Sequence, residues 1–429
     1  MRSLSKITLI ALLVLTATVT SFVPSDRDRA DASPPQDCFW TSVFDEENGN
    51  LFFPDTAVNY HLGRVSLPPG GELLLRGRFP HARYISFNVY DEVGRPTDAL
   101  ADSAIRPDQG STNPFVVGNR RNRPLRNYTM RVVADSPPAK REPNTVYLGS
   151  GDQARFVGSL VYRVYLPDRG QNQFGGTGLP EVSLGLPGGT LVDQAAACSA
   201  PTNQPSTGVT ETDRHSGGPG GPSLTTASDP IDWERFFNVT RSVVRQFSQD
   251  AAEASGEEQR GGFFSDGNNA YVSAMVSREH GDVLVMRGRM PDVPRTRSGD
   301  GVFEKAQLRY WSMCNGSVMP TGATDTVGCV YDEQVVTDPR ERFTIVVSTP
   351  EDRPANARRA CGVTWMPWGF RPEAVMIMRN QLASPDFARA VQRVRKPGME
   401  REVMGSFLPR GSYTSTVAFE KRSCDRPAR

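Results

Sequence analysis

The chain has 429 residues, of which 38% are hydrophobic and 23% are charged, and its formal net charge is +1. This composition is too apolar for a disordered protein, and a net charge near zero excludes a global field that would draw the chain to nucleic acid or a membrane surface. The 39 glycines and 34 prolines favour many turns and short strands over long helices.

The N-terminus has the pattern of an export signal. Arg2 and Lys6 precede an apolar run at 7–23; the small-residue pattern "VTS" at 19–21 lies near the end of this run, and "ADA" at 30–32 follows it. This order predicts a signal peptide over 1–32, with no membrane span after cleavage. A retained anchor is the alternative, because about 17 apolar residues lie at the lower limit for crossing a bilayer. The sequence therefore predicts a secreted or cell-envelope protein.

One stretch of the chain occurs twice. "LLLRGRFP" at 73–80 is echoed by "LVMRGRMP" at 284–291, and nine of 21 positions match when 60–80 is aligned with 271–291. Average residue usage would give about one or two matches. Three more pairs follow in the same order: "YISF" with "YWSM", "YTMRVV" with "FTIVVS", and "LVYR" with "MIMR". This order predicts an internal duplication.

The repeated segments are rich in β-branched, aromatic and aliphatic residues and are bounded by turn residues, which is typical of strands. We therefore expect a mainly β protein with two tandem duplicated β-sandwich (jelly-roll-like) domains and short flanking helices. The first repeat is predicted over 38–200 and the second over 230–424. Between them, 201–229 has almost no large apolar residues and is predicted to be a flexible linker.

Two short helices are predicted in the second repeat. Pro230 after Asp229 is a typical helix start, and Trp233, Phe236 and Phe237 would then fall near one face. A second helix is expected to begin at Ser384.

The six cysteines are predicted to form disulfides, because they form no C-x-x-C pair and the chain carries an export signal. Six cysteines allow 15 pairings. Cys314 ends one predicted strand, Cys329 begins the next, and the segment between them is rich in turn residues, so we expect these two to pair. The remaining cysteines leave two expected bridges, Cys361–Cys424 and Cys38–Cys198.

The ordered segments "YISFNVYD", "RNYTMRVV" and "YRVYLPD" are similar to a family of uncharacterised bacterial exported proteins of actinobacterial type. The second half resembles its variant through "YWSMC", "GCVYDEQV", "FTIVVS" and "GVTWMPWG". More distantly, both halves resemble the domain of unknown function 1214. The resemblance covers most of 50–185 and 265–395. It implies a β-sandwich with no established activity and no functional residues to transfer.

Two segments are candidate binding sites. In the first, Arg120, Arg121 and Arg123 lie in "NRRNRPLRNYTMR", where an arginine patch can hold sulfate, phosphate or an anionic wall polymer; a solvated loop is the alternative. In the second, "GVTWMPWGF", Trp365, Trp368 and Phe370 can stack on a sugar or an apolar ligand; the alternative is that they plug the end of the second sandwich.

The sequence contains no hydrolase, zinc-protease, phosphate-loop or dinucleotide motif, so no cofactor and no metal site are predicted. The acidic run Asp91, Glu92, Asp98, Asp102 and Asp108 can be a solvated loop, a calcium site or a source of catalytic carboxylates. We expect an exported cell-envelope protein that binds an unknown envelope ligand or protein, without catalysis and without nucleic acid. The alternative is a carboxylate-dependent hydrolase or lyase acting on cell-wall glycan.

Overall fold

Strands form the framework of the described residues, and some of them, such as Ala82–Tyr90, are buried along their whole length. The computed structural model describes residues 39–44, 54–192, 226–238, 265–318, 324–422 and 424, with five further positions between 241 and 253. The predicted signal peptide 1–32, Cys38, Cys198 and most of the predicted linker lie outside these residues. The protein is mainly β, as predicted, and its described strands form four sheets.

The first sandwich contains ten strands in two sheets of five. One sheet has the order β1-β2-β8-β4-β5 and the other β10-β9-β3-β6-β7. The strands are β1 (Trp40–Phe44), β2 (Val58–Ser66), β3 (Glu72–Arg78), β4 (Ala82–Tyr90), β5 (Pro96–Ala101), β6 (Asn127–Val133), β7 (Thr145–Tyr147), β8 (Val157–Pro167), β9 (Glu181–Gly185) and β10 (Leu191–Val192).

The second sandwich contains nine strands and the two described α-helices. Its sheets have the orders β11-β12-β18-β14-β15 and β17-β16-β13-β19. The elements are β11 (Glu234–Arg235), β12 (Asn269–Ser277), β13 (Val283–Arg289), β14 (Tyr310–Val318), β15 (Thr324–Tyr331), β16 (Arg342–Ser348), β17 (Thr364–Pro367), β18 (Glu373–Gln381), α1 (Glu400–Met404), β19 (Arg410–Thr414) and α2 (Thr416–Glu420).

The strand registers of the two sandwiches agree position by position in the aligned segments. Tyr60 lies opposite Arg163 on the neighbouring strand, and Tyr271 lies opposite Arg379. The one parallel pair named in each sandwich also occupies the same place, β6 with β7 and β16 with β17. The segments aligned by sequence therefore form equivalent strands.

Each sandwich has its own apolar core between its two sheets. Phe87 and Tyr162 from one sheet meet Leu75 and Met130 from the other in the first core. Trp311 and Met378 likewise meet Met286 and Ile345 in the second. Residues 36–429 nevertheless form one compact unit, because the sandwiches also pack on each other through Tyr84, Tyr165 and Tyr310.

The predicted helix at 230 is wrong over its first turns. Glu234 and Arg235 form strand β11 and pair with β12 instead. Ile231, Trp233 and Phe237 pack into the second core from this extended stretch. The helix predicted from Ser384 is reduced to a single 3-10 turn at Val391–Arg393.

Two of the three predicted disulfides are confirmed. Cys314 and Cys329 lie directly opposite each other on β14 and β15 and are bonded. Cys361 is bonded to Cys424 and holds the C-terminal segment against the second sandwich. None of the helices in the described ranges combines the length and the apolar character that a membrane crossing requires.

Candidate functional site

Two reciprocal ion pairs join the sandwiches. Arg83 of β4 donates from Nη1 to Asp332, with an N–O distance of 3.1 Å, and Arg309 before β14 donates to Asp102 at 2.9 Å. Both aspartates directly follow an edge strand, β5 or β15, and open a 3-10 turn. Each guanidinium also donates to the backbone oxygen of the other arginine, at 3.4 and 3.5 Å. The two pairs therefore have nearly twofold symmetry.

A second pair of buried carboxylates surrounds this centre. Asp55, three residues before β2, accepts hydrogen bonds from Tyr310 at 3.0 Å and Ser312 at 2.5 Å. Its counterpart Asp266, three residues before β12, accepts from Gln381 at 3.1 Å and from Ser86 at 3.4 Å. Every carboxylate at this interface thus already accepts donors from the opposite sandwich or from its own.

Burial dominates the electrostatics of the interface. Burial raises the pKa of Asp102 to about 6, while Arg309 acts in the opposite direction. Burial also raises the pKa of Asp332 against the opposing effect of Arg83. Burial and the Asp55 carboxylate hold the pKa of Tyr310 well above its ordinary value, so Tyr310 remains a proton donor to Asp55 at neutral pH. These groups are structural donors and acceptors rather than solvent-facing acids and bases.

The turn that begins at Asp102 also forms the wall of an open groove of about 530 Å³. Hydroxyl and amide side chains, one guanidinium and a few small apolar groups line it. They come from Ser103, Ala104, Ile105, Arg106, Pro107, Ser111, Thr112, Asn113, Val116 and Asn119. No residue in this lining carries a carboxyl group.

Asn113 ties the groove to the interface. Its buried amide nitrogen donates to the backbone oxygens of Asp102, at 2.7 Å, and Ile105, at 2.8 Å. Its side-chain oxygen accepts from the backbone nitrogen of Phe115 at 2.8 Å. The backbone oxygen of Phe115 in turn accepts a hydrogen bond from the Arg309 side chain of the second sandwich. The groove floor is therefore held by the same arginine that pairs with Asp102.

Arg106 gives the groove its one positive charge. Its backbone is fixed by Asn144, which accepts from the Arg106 nitrogen at 2.7 Å and donates to its oxygen at 2.8 Å. The side chain is exposed, and within the described ranges no carboxylate forms an ion pair with it. A backbone held in place with a free guanidinium is suited to an anionic group on a ligand.

The three predicted arginines occupy different environments. Arg121 is buried and pairs with Asp168 at 2.6 Å, and it also donates to the backbone oxygen of Asp300 in the second sandwich. Arg120 and Arg123 are exposed. Arg120 directly follows the groove residue Asn119 in the chain, and Arg123 lies four residues after Asn119. Arg121 is thus used for packing, while Arg120 and Arg123 remain candidates for ligand contacts.

The three predicted aromatic residues do not form one platform. Trp368 is 1% exposed in the second core, whereas Phe370 is 64% exposed. Trp365 is partly buried, donates to Ser348 at 3.0 Å and lies beneath the Arg353 guanidinium. Trp368 therefore packs in the second core, and Phe370 is the most exposed of the three.

The acidic run is also dispersed among separate partners. Asp91 accepts backbone nitrogens of its own turn, Asp98 pairs with Arg141, and Asp108 accepts from Thr129. The sulfur atoms of Cys314 and Cys329 lie with an Asp55 oxygen within 4.8 Å of one another, but these sulfurs are bonded to each other.

Sequence reasoning singled out one interface residue, Asp102 of the acidic run, and missed its partners, although a signal was present. Arg83 and Arg309 stand immediately before the aligned tyrosines Tyr84 and Tyr310, and Asp55 and Asp266 are separated by the same 211 positions as the longest aligned stretch. Extending the internal alignment beyond its strands would have selected these four charges.

Known proteins add little to this picture. No family model matches the chain, and no curated protein matches it. An uncharacterised protein of Burkholderia cenocepacia is similar in structure, with a TM-score of 0.49 and 12% identity over 89% of this chain and 83% of its own. A protein of Vibrio parahaemolyticus has a TM-score of 0.41 and 11% identity over 85% of this chain and 92% of its own. At these values neither similarity bears on function.

Proposed function

We propose that the protein is an exported cell-envelope protein that binds a small, hydroxyl-bearing anionic ligand in the groove at 103–119, without catalysis. The duplicated origin of its two sandwiches and its relationship to exported proteins belong to the same proposal. The groove chemistry carries it: hydroxyls, amides and the free guanidinium of Arg106 stand together on a wall fixed by Asn113 and Asn144.

The chemistry of the groove favours binding over hydrolysis. Glycan hydrolysis uses two carboxyl groups that flank the scissile bond, one of them as a general acid. The groove lining contains no carboxyl group, and the buried carboxylates Asp55, Asp102, Asp266 and Asp332 are occupied at the interface. Two disulfides are in keeping with an oxidising compartment.

The test is calorimetric titration of the full chain with glucuronate as an anionic probe and glucose as its neutral match. We expect glucuronate to bind and Arg106→Gln to weaken it by about tenfold, because one charge-assisted contact is lost. Ser103→Trp should abolish binding by filling the groove, while Ser406→Trp, at an exposed serine elsewhere, should not. Equal binding of the two sugars by wild type and Arg106→Gln would contradict the proposal.

The hydrolase alternative has its own readout. Incubation of the protein with purified cell-wall glycan should release no reducing ends. If reducing ends accumulate and Asp102→Asn prevents this, the catalytic reading replaces the binding one.

A further inference from the structure

The outer face of the sheet β17-β16-β13-β19 is divided in two. Along β13, Leu284 and Met286 point into the core, and the alternate residues point outward. Val283 and Val285 are covered by Phe419 of α2. Beyond this covered half, Arg287 and Arg289 are exposed.

Arginines stand opposite arginines in the uncovered half. Arg287 lies directly across from Arg410 on β19, and Arg289 lies across from Arg342 on β16. Like charges placed directly opposite each other in a sheet repel. Arg401 lies close to Arg410, and its guanidinium donates to the backbone oxygens of Leu408 and Pro409. Burial and the charge of Arg410 lower the pKa of Arg401, and Asp232 acts in the opposite direction.

Acidic residues do not neutralise most of this surface. Arg342 pairs with Asp338 at 2.7 Å. Arg289 lies over the ring of Phe407, with 5.4 Å from its guanidinium carbon to the ring centroid. Across the described part of the chain, no carboxylate forms an ion pair with Arg287, Arg289 or Arg410. We call Arg287, Arg289, Arg401 and Arg410 the basic face.

The equivalent surface of the first sandwich is balanced. Arg76 there lies opposite Thr129 on one side and Glu181 on the other. Arg131 on the same sheet pairs with both Glu72 and Glu142. The excess charge is therefore particular to the second sandwich and is not a requirement of the strand pattern that the two share.

We propose that the basic face docks a phosphate-bearing linear polymer of the cell envelope. Arg287 and Arg410 are paired on neighbouring strands, whose backbones stand about 5 Å apart, so both side chains are long enough to reach one bound group. A tetrahedral phosphate presents oxygens in several planes to two guanidinium forks, whereas a planar carboxylate is matched by one fork. Arg289 follows Arg287 by roughly 7 Å along the strand, which suits successive charges of a polymer.

Single-stranded nucleic acid is a poorer fit to this surface, because such strands are held by aromatic rings on which the bases stack. Phe407, which lies beneath Arg289, is partly buried and does not offer an open ring face. None of the basic-face residues lines the groove of the proposed function, so the two sites are tested separately.

The experiment measures binding of the full chain to immobilised poly(glycerol phosphate). We expect binding that weakens as salt is raised, and Arg287→Gln/Arg410→Gln should lower affinity by about tenfold or more. The matched control is Arg76→Gln/Arg78→Gln, which removes the equivalent strand arginine and its neighbour from the first sandwich and should change affinity by less than about twofold. Arg287→Lys/Arg410→Lys should restore part of the binding.

Three results would overturn the proposal. The first is equal loss in both glutamine variants, and the second is no loss in either. The third is tighter binding to polygalacturonate or to oligothymidylate than to poly(glycerol phosphate). If Arg287→Gln/Arg410→Gln melts at a lower temperature than the wild type, the test uses Arg287→Lys/Arg410→Lys instead. If this lysine variant folds normally and does not bind the polymer, the proposal is wrong.

Discussion

The two sandwiches share a core plan and differ in what they expose. Both place a glycine between two exposed arginines, Arg76 and Arg78 in one and Arg287 and Arg289 in the other. In the first sandwich a glutamate lies opposite the shared arginine, and this sandwich also carries the groove. In the second sandwich a further arginine lies opposite the shared arginine, and this sandwich contains two disulfides. Shared positions thus specify packing, and the positions that differ are where function is best sought.

The largest expected difference concerns the covalent cross-links of the second sandwich. The Cys361–Cys424 bridge closes 63 residues and Cys314–Cys329 closes 15. A disulfide restricts the unfolded chain more when the loop that it closes is longer. Replacing Cys361 and Cys424 by alanine should therefore lower the free energy of unfolding by about 4 kcal/mol, and replacing Cys314 and Cys329 by about 3 kcal/mol. Urea unfolding of the two variants measures this order, and a reversed order would show that native contacts outweigh loop length.

The ion pairs across the interface should matter more than those at the surface. Asp332→Ala leaves the fully buried guanidinium of Arg83 with Glu333 as its remaining carboxylate partner. Because arginine cannot lose its proton, we expect a loss of about 3 kcal/mol in unfolding free energy.

Asp338→Ala is the matched control for that change. It breaks a pair in which Arg342 is 54% exposed, and it should cost less than about 1 kcal/mol. Similar losses in the two variants would mean that the interface pair is not held away from water.

The stability of the protein should depend on pH through the titration of the buried Asp102 carboxyl group. Its folded-state pKa of about 6 lies above the ordinary value of 3.8, so the folded protein retains a proton that the unfolded chain releases. The stability contributed by this group is complete below about pH 4 and is lost as pH rises through 6. Relative to the wild type, Asp102→Asn should therefore gain on the order of 2 kcal/mol between pH 4 and 7. Parallel pH profiles of the two proteins would rule this out.

Much of the fold is predictable from the sequence because its signals are local. The β-branched, aromatic and aliphatic residues of the repeated segments and the recurring R-G-R motif specify strands. The turn-rich segment between Cys314 and Cys329 specifies a hairpin that brings the sulfurs together. The helix expected at 230 failed because tertiary pairing of β11 with β12 overrode the capping residues. The groove and the interface escaped prediction because they depend on Asp102 meeting Arg309, and 207 residues separate the two.

The two strand glycines, Gly77 and Gly288, should have equivalent structural roles. A Cβ on Gly77 would lie 2.4 Å from the Tyr128 hydroxyl oxygen, and one on Gly288 would lie 2.7 Å from the Phe343 ring. Each glycine stands opposite that aromatic residue on the neighbouring strand. We expect Gly77→Ala and Gly288→Ala each to cost about 1–3 kcal/mol, since a buried ring must move.

The first sandwich should show the larger loss of the two, because the Cβ contact is shorter there and Tyr128 packs against two rings, Phe79 and Phe87. Phe343 packs against Trp311, with 5.7 Å between ring centroids. Gly301→Ala, where a Cβ meets nothing within 4 Å, is the control and should be neutral or slightly stabilising. Thermal and urea unfolding of the three variants give the comparison. A neutral result at one of the strand glycines would show that the two R-G-R motifs do not perform the same structural task.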